Sequence, residues 1–170
     1  MRERTPDDLP GCLAALREVH LASGYPSVWP DDPAGFLCPD QMVQAWVALN
    51  GTTIVGHVML RSFNLDLEPP GWLEPTGLSP AQAALISRLY VVPQARGEGV
   101  ATALLATAVR HAQTLGRRAV LDVAVTAHAA VRLYERLGWR RAATLPAPWR
   151  GPDGRAPAMH VYVAPEPSQI

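Results

Sequence analysis

The sequence predicts an α/β fold with a mixed sheet, and three observations point there. Strand-like and helical segments alternate through the second half, a hairpin signal occupies the first half, and 170 residues suffice for one substantial core. The chain opens on a helix. Thr5-Pro6-Asp7-Asp8 supplies an N-cap, a proline at the first helical position and a carboxylate three residues after the cap. Leu9, Cys12, Leu13, Leu16, Val19 and His20 follow with helical spacing, giving a helix to about Ala22. Four residues precede Thr5, so any leading strand is very short.

Residues 24–39 are dense in Pro, Gly and Asp and read as an ordered loop or a turn of helix. Tyr25, Trp29 and Phe36 in this stretch either cap the core or line a substrate pocket. Val43–Leu49, Asn50-Gly51 and Thr53–Leu60 form the hairpin signal, because Asn-Gly suits the positive backbone angles of a type I′ turn. Residues 62–80 form an insertion rich in Pro and Glu that carries Trp72, and it reads as a lid or a long surface connection. Ala84–Val92 is apolar and ends at Pro93, as a buried strand would. A helix is predicted from Gly97 or Glu98 to Leu115, with Ala101, Leu104, Leu105, Ala108 and Val109 on one stripe and Gly116 as its stop. Arg118–Val125 reads as a strand, Ala127–Leu137 as a helix closed by Gly138, and Trp139–Thr144 and Met159–Val163 as closing strands. No linker or repeat divides the chain, so a single domain over residues 1–170 is expected.

Composition narrows the classes. The apolar fraction is 48% and the charged fraction 18%, typical of a globular protein. Lys+Arg and Asp+Glu both number 15, so no general basic surface for nucleic acid is indicated. No apolar run reaches membrane-span length and the N-terminus lacks a secretory apolar region, which fits a cytoplasmic protein. The two cysteines, Cys12 and Cys38, and the five histidines show no metal-ligand spacing, so no metal is expected. Cys12 lies on the apolar side of its helix and reads as a buried core thiol.

The chemistry concentrates at residues 89–105. A strand ends at Pro93, crosses Arg96-Gly97-Glu98-Gly99 and enters a helix. Amides at a helix start lack intrahelical acceptors, and with the positive end of the helix dipole they make an anion site. Glycines let a ligand approach the backbone, and Arg96 adds charge. No Gly-Lys-Ser/Thr follows, and Thr102 stands where the dinucleotide pattern needs a third glycine. An incidental pair of glycines at a helix start is the plain alternative.

The segment resembles the GCN5-related N-acetyltransferase family, whose signature is V-x-P followed by R/Q-x-x-G-x-G/A. Val91-Val92-Pro93 and Arg96-Gly97-Glu98-Gly99-Val100-Ala101 meet it. Downstream, the family pattern N-x-x-A-x-x-L-Y-x-x-x-G-F is matched by Ala130, Leu133, Tyr134 and Gly138, with Trp139 in place of Phe and Ala127 where Asn is usual. The resemblance implies a mostly antiparallel central sheet with a splayed parallel strand pair and flanking helices. It implies acetyl-CoA as co-substrate, with its pyrophosphate on the amides of Arg96, Gly97, Glu98, Gly99, Val100, Ala101 and Thr102. The pantetheine arm would pair with the backbone of Leu89, Tyr90 and Val91, and an N–H near Val91 would meet the developing oxyanion.

Tyr134 matches the family tyrosine that often serves as general acid; its plain alternative is an amphipathic helix residue. Asp122 stands in Leu121-Asp122-Val123, where the ribosomal-protein branch of the family carries a glutamate base. Asp122 could instead pair structurally, and Glu68, Glu74 or water could take the proton. His57 and His128 read as structural or surface groups. The family places its acceptor site in regions that here hold Tyr25, Trp29, Trp72, Trp149, Asp31, Asp32, Glu68, Glu74 and Asp153, a set suited to a cationic amine of a small molecule or a protein N-terminus. Homodimers are common in the family, though no interface is legible. A non-catalytic acyl-CoA-binding regulatory module is the competing reading, to which Ala127 lends some weight.

Overall fold

The structure, a computed structural model, describes residues 1–166. Its strands are β1 (Arg2–Glu3), β2 (Met42–Asn50), β3 (Thr53–Ser62), β4 (Ala83–Val91), β5 (Arg118–Ala124), β6 (Arg140–Pro146) and β7 (Ala158–Val163). The helices are α1 (Leu9–Ser23), α2 (Pro33–Leu37), α3 (Val100–Thr114) and α4 (His128–Arg136). The strands form one seven-stranded sheet in the order β1-β2-β3-β4-β5-β7-β6. The β4–β5 pair is parallel over Ala83↔Arg118, Ala84↔Ala119 and Leu85↔Val120, while the β1–β2, β2–β3, β5–β7 and β6–β7 pairs are antiparallel. This is the mixed, mostly antiparallel sheet with flanking helices expected from the sequence.

The described chain forms two compact units, Met1–Arg61 with Ile86–Ala108, and Ser62–Leu85 with the described residues from Val109. Each unit takes two separate stretches of sequence, so no linker marks their boundary. In the first unit, α1 begins through a short 3-10 turn over Pro6–Asp8. Asp8 accepts the Thr5 amide at 2.7 Å and the two guanidinium nitrogens of Arg2 at 2.6 and 2.7 Å. That pairing holds the Asp8 carboxyl well below the usual carboxylate range. The helix stops at Gly24, whose φ of +70° is open to glycine. Cys12, Ala15, Leu16 and Val19 form its buried stripe.

The β2–β3 hairpin corrects one expectation. Asn50 pairs with Thr53, leaving Gly51-Thr52 as the loop. Among the described residues there, Gly51 alone has positive φ, +60°. Glycine at the first loop position with an ordinary second residue marks a type II′ turn, not the type I′ turn that Asn-Gly suggested. A register shift between Ala48 and Leu49 also leaves Val55 unpaired in the β2 ladder. Its carbonyl accepts the Val92 amide at 2.9 Å.

In the second unit Phe63, Trp72, Leu73, Ala83, Leu85, Val120, Val161 and Val163 form a continuous apolar cluster. The 62–80 insertion is therefore neither a lid nor a bare surface connection. Trp72 is 2% exposed and its ring lies 5.3 Å from that of Phe63, so the segment is pinned into the core at two points. Burying an aromatic of this size stabilises by roughly 1.5–3 kcal/mol. No helix among the described residues is long and apolar enough to cross a membrane.

Candidate active site

The first unit holds the candidate cofactor site. A 3-10 turn over Pro93–Ala95 follows β4, so α3 starts at Val100, two or three residues later than its sequence suggested. The difference arises because Gly97 and Gly99 have φ values of +82° and +79°, outside helical geometry. Ala103 donates to the Gly99 carbonyl at 3.0 Å as the first helical bond. The amides of Val100, Ala101 and Thr102 precede it and have no acceptor four residues back. A Cβ built on Gly97 or Gly99 would meet nothing within 4 Å. The glycines thus serve the backbone path, and the space beside them is open. Amides grouped at the positive end of a 15-residue helix, with open space before them, suit a phosphate-type anion.

Arg96 is exposed but tethered. Its Nε donates to the Val91 carbonyl at 3.1 Å and its Nη2 to the Ser23 hydroxyl at 3.1 Å. Its charge stays beside the turn while its side chain links the end of β4 to the end of α1. Behind the turn, α3 buries Leu104, Leu105 and Ala108, as its stripe predicted. Gly56 on β3 lets the helix lie close. A Cβ there would come within 3.0 Å of Leu104 Cδ1, 3.1 Å of Val100 Cγ1 and 3.3 Å of the Tyr90 carbonyl oxygen. The sequence reading missed this glycine, which looks like any other inside a strand pattern.

Along β4, Leu89 is half-buried while Tyr90 and Val91 are buried. Tyr90 turns its side chain inward, its hydroxyl donating to the Cys12 carbonyl at 2.9 Å. Burial raises the Tyr90 pKa well beyond the usual phenol range. Cys12 is fully buried, as expected for a core thiol, and burial pushes it up to about 11. Tyr25 lies beside this strand, its ring 6.5 Å from that of Tyr90. Trp29 is half-buried against α1, with His20 at 5.2 Å and the Arg17 guanidinium 5.2 Å from its centroid.

The second unit holds both acid–base candidates. Asp122 on β5 is half-buried and accepts the Trp72 indole N–H at 3.2 Å. Trp72, expected at an acceptor pocket, is instead a core side chain whose polar edge faces this carboxylate. Tyr134 on α4 is 6% exposed, and its ring lies 5.8 Å from Trp139 and 5.7 Å from Tyr162. Those neighbours fix the ring plane. Ala127, at the position where Asn is usual, precedes α4 with no side-chain cap. The backbone holds that turn, since the Ala127 amide donates to Ala124 and the His128 amide to Thr126, both at 2.9 Å. Glu135 pairs with Arg141 and accepts the Tyr162 hydroxyl at 3.0 Å; the Arg141 contact lowers its pKa. His128, Arg132 and Arg136 are exposed, and Trp149 is among the exposed large side chains.

The acetyltransferase (GNAT) family matches residues 14–139, most of the chain. The protein belongs to that family. Solved structures share the fold. The ribosomal-protein-S18-alanine N-acetyltransferase from Escherichia coli is 17% identical, with a TM-score of 0.67 over 99% of this chain and 96% of that one. NAA60 from Arabidopsis thaliana in complex with acetyl-CoA is 20% identical, with a TM-score of 0.68 over 95% of each chain. The yncA protein from Salmonella typhimurium, with its cofactor acetyl-CoA, is 18% identical, with a TM-score of 0.70 over 99% of this chain and 94% of that one. At such identities the likeness concerns the fold. No curated protein matches the chain.

Proposed function

We propose that this protein is an acetyl-CoA-dependent N-acetyltransferase that acylates an amine of a small molecule or a protein N-terminus by direct attack. The observation that carries the reading is the glycine-bent turn before α3, with open space beside Gly97 and Gly99 and, beyond them, helix-start amides that precede the first helical bond. The co-substrate supplies a thioester whose carbonyl carbon is open to an amine.

The amides from Gly97 to Thr102 hold the pyrophosphate, and Arg96 adds positive charge nearby. The backbone of Leu89, Tyr90 and Val91 receives the pantetheine arm as a strand edge receives a peptide. Asp122 takes the proton that the amine loses as the new C–N bond forms. Tyr134 gives its hydroxyl proton to sulfur as the C–S bond breaks and the electron pair leaves with it. Each is within the ordinary range of general acid–base catalysis, a contribution of about 10²–10⁴-fold. Tyr25, beside β4, is the residue we place nearest the acceptor, with Trp29 beyond it; Arg17 over the Trp29 ring leaves that indole less suited to a cation.

Free-thiol detection across a panel of amines tests the reading. Thiol release that needs acetyl-CoA, protein and amine together is the expected result. Tight acetyl-CoA binding without release by any small amine or N-terminal peptide would favour the binding-module reading, to which Ala127 points.

A further inference from the structure

The acid–base scheme leaves several buried titratable side chains unused, and His57 is the one bonded to the backbone of β4. His57 on β3 is 0% exposed and is bonded at both ring nitrogens. Nε2 lies 3.1 Å from Arg4 Nη1, and Nδ1 lies 2.8 Å from the Arg88 carbonyl oxygen. A guanidinium only donates, so Nε2 must carry the lone pair and Nδ1 the proton that it gives to Arg88. Burial lowers the His57 pKa to about 4, and the adjacent Arg4 and Arg88 charges act in the same direction, so the ring is neutral at neutral pH. Its plane also stacks on Tyr90, with centroids 5.1 Å apart and 16° between planes.

Arg88 itself is unusual. Among the described residues it is the one non-glycine with positive φ, +54°. A residue with a Cβ keeps that conformation only where its surroundings impose it. Here the Arg88 guanidinium lies 3.7 Å over the Phe36 ring, and its Nε donates to the Phe36 carbonyl at 3.2 Å. Arg4, which braces His57, also donates to the Leu37 carbonyl at 2.7 Å. The 36–37 segment therefore grips the kink from one side while the imidazole grips its carbonyl. The Arg88 carbonyl and the Leu89 amide belong to one planar peptide unit and point in opposite directions. Pinning the first pins the second.

We infer that His57 is a positioning residue: its bond to the Arg88 carbonyl, braced by Arg4, fixes the left-handed kink in β4 and so sets the direction of the Leu89–Val91 backbone groups that take the cofactor arm. This rests on the acetyl-CoA reading above. Filling space would require only the ring's volume; positioning requires its N–H and acts through Arg88.

Three variants of the full chain separate these roles, with acetyl-CoA dissociation constants measured by calorimetry and folding checked by thermal denaturation. His57→Leu keeps bulk and removes the donor. His57→Asn places an amide N–H near the position of Nδ1. His57→Leu/Arg88→Gly supplies a residue at ease with positive φ and needing no grip. The expected results are a loss of affinity of tenfold or more in His57→Leu, affinity within threefold of wild type in His57→Asn, and recovery in the double variant to within threefold of Arg88→Gly alone. Wild-type affinity in His57→Leu, or a double variant more than threefold weaker than Arg88→Gly alone, would overturn the inference. If His57→Leu does not fold, His57→Gln replaces it, and equal affinity in the Asn and Gln variants would overturn the inference. A wild-type protein that binds no acetyl-CoA would overturn the cofactor reading itself, a result distinct from loss confined to the variants.

Discussion

Tyr134 and His57 show how one ring's surroundings set what it can do. Tyr134 is held between Trp139 and Tyr162, so removing its hydroxyl leaves the packing of the ring intact. Tyr134→Phe should lower kcat by about 10²-fold, the low end for a lost general acid, with acetyl-CoA affinity changed far less. Steady-state kinetics alongside calorimetry checks this, and equal losses in both would place Tyr134 in binding. His57 is the opposite case, a titratable group kept neutral. Its pKa of about 4 in the folded protein lies below the 6.5 of an ordinary histidine. Between those values the unfolded chain binds a proton that the folded protein excludes. Stability is therefore full above that window and declines as pH falls through it, by at most about 1.4 kcal/mol per pH unit from this group. His160, whose pKa burial also lowers, adds a contribution of the same sign. The diagnostic is the difference: denaturant midpoints measured from pH 6.5 to 5 should fall more steeply for wild type than for His57→Asn.

At the scale of elements, the turn before α3 and the glycine behind it make different demands. Gly99 faces open space but has φ of +79°. Gly99→Val should cost about 1–2 kcal/mol in backbone strain, seen in denaturant unfolding, and should weaken acetyl-CoA binding by more than that loss explains. Gly56 has the reverse problem, an ordinary φ but a Cβ position already taken by Leu104, Val100 and the Tyr90 carbonyl. Gly56→Ala should destabilise by about 1–3 kcal/mol as α3 is pushed from β3. Because Val100 moves with the helix, acetyl-CoA binding should weaken as well, and calorimetry on the folded fraction checks that. These two glycines also mark a limit of reading by pattern. Gly97 and Gly99 were legible because they sit between a strand and a helix. Gly56 was not, because its partners lie about 35–50 residues away in sequence.

Across the whole molecule, the elements that follow local rules were legible and those set by distant contacts were not. The Thr5 cap, a helix end near Ala22 and the buried Leu104, Leu105 and Ala108 face follow from spacing and capping, and the structure has them, with α1 itself starting at Leu9 after the capped 3-10 turn. The hairpin was found, but its turn type was not, since strand pairing shifted the loop to Gly51-Thr52. The 62–80 insertion looked like surface chain, yet Phe63 and Trp72 anchor it in a core made by strands far away in sequence. The kink at Arg88 left no sequence signal at all, because arginine is not a residue that positive φ favours. The glycine turn before α3, which we propose takes the cofactor, was the most legible part of the candidate site, being local. The acceptor side was the least legible, and Trp72 shows why: burial depends on what packs around a ring. Calorimetric titration of the full chain with acetyl-CoA tests the central claim most directly. Saturable binding with one site per chain, lost or much weakened in Gly99→Val, is the result this account predicts; no binding by the folded wild-type protein would contradict it.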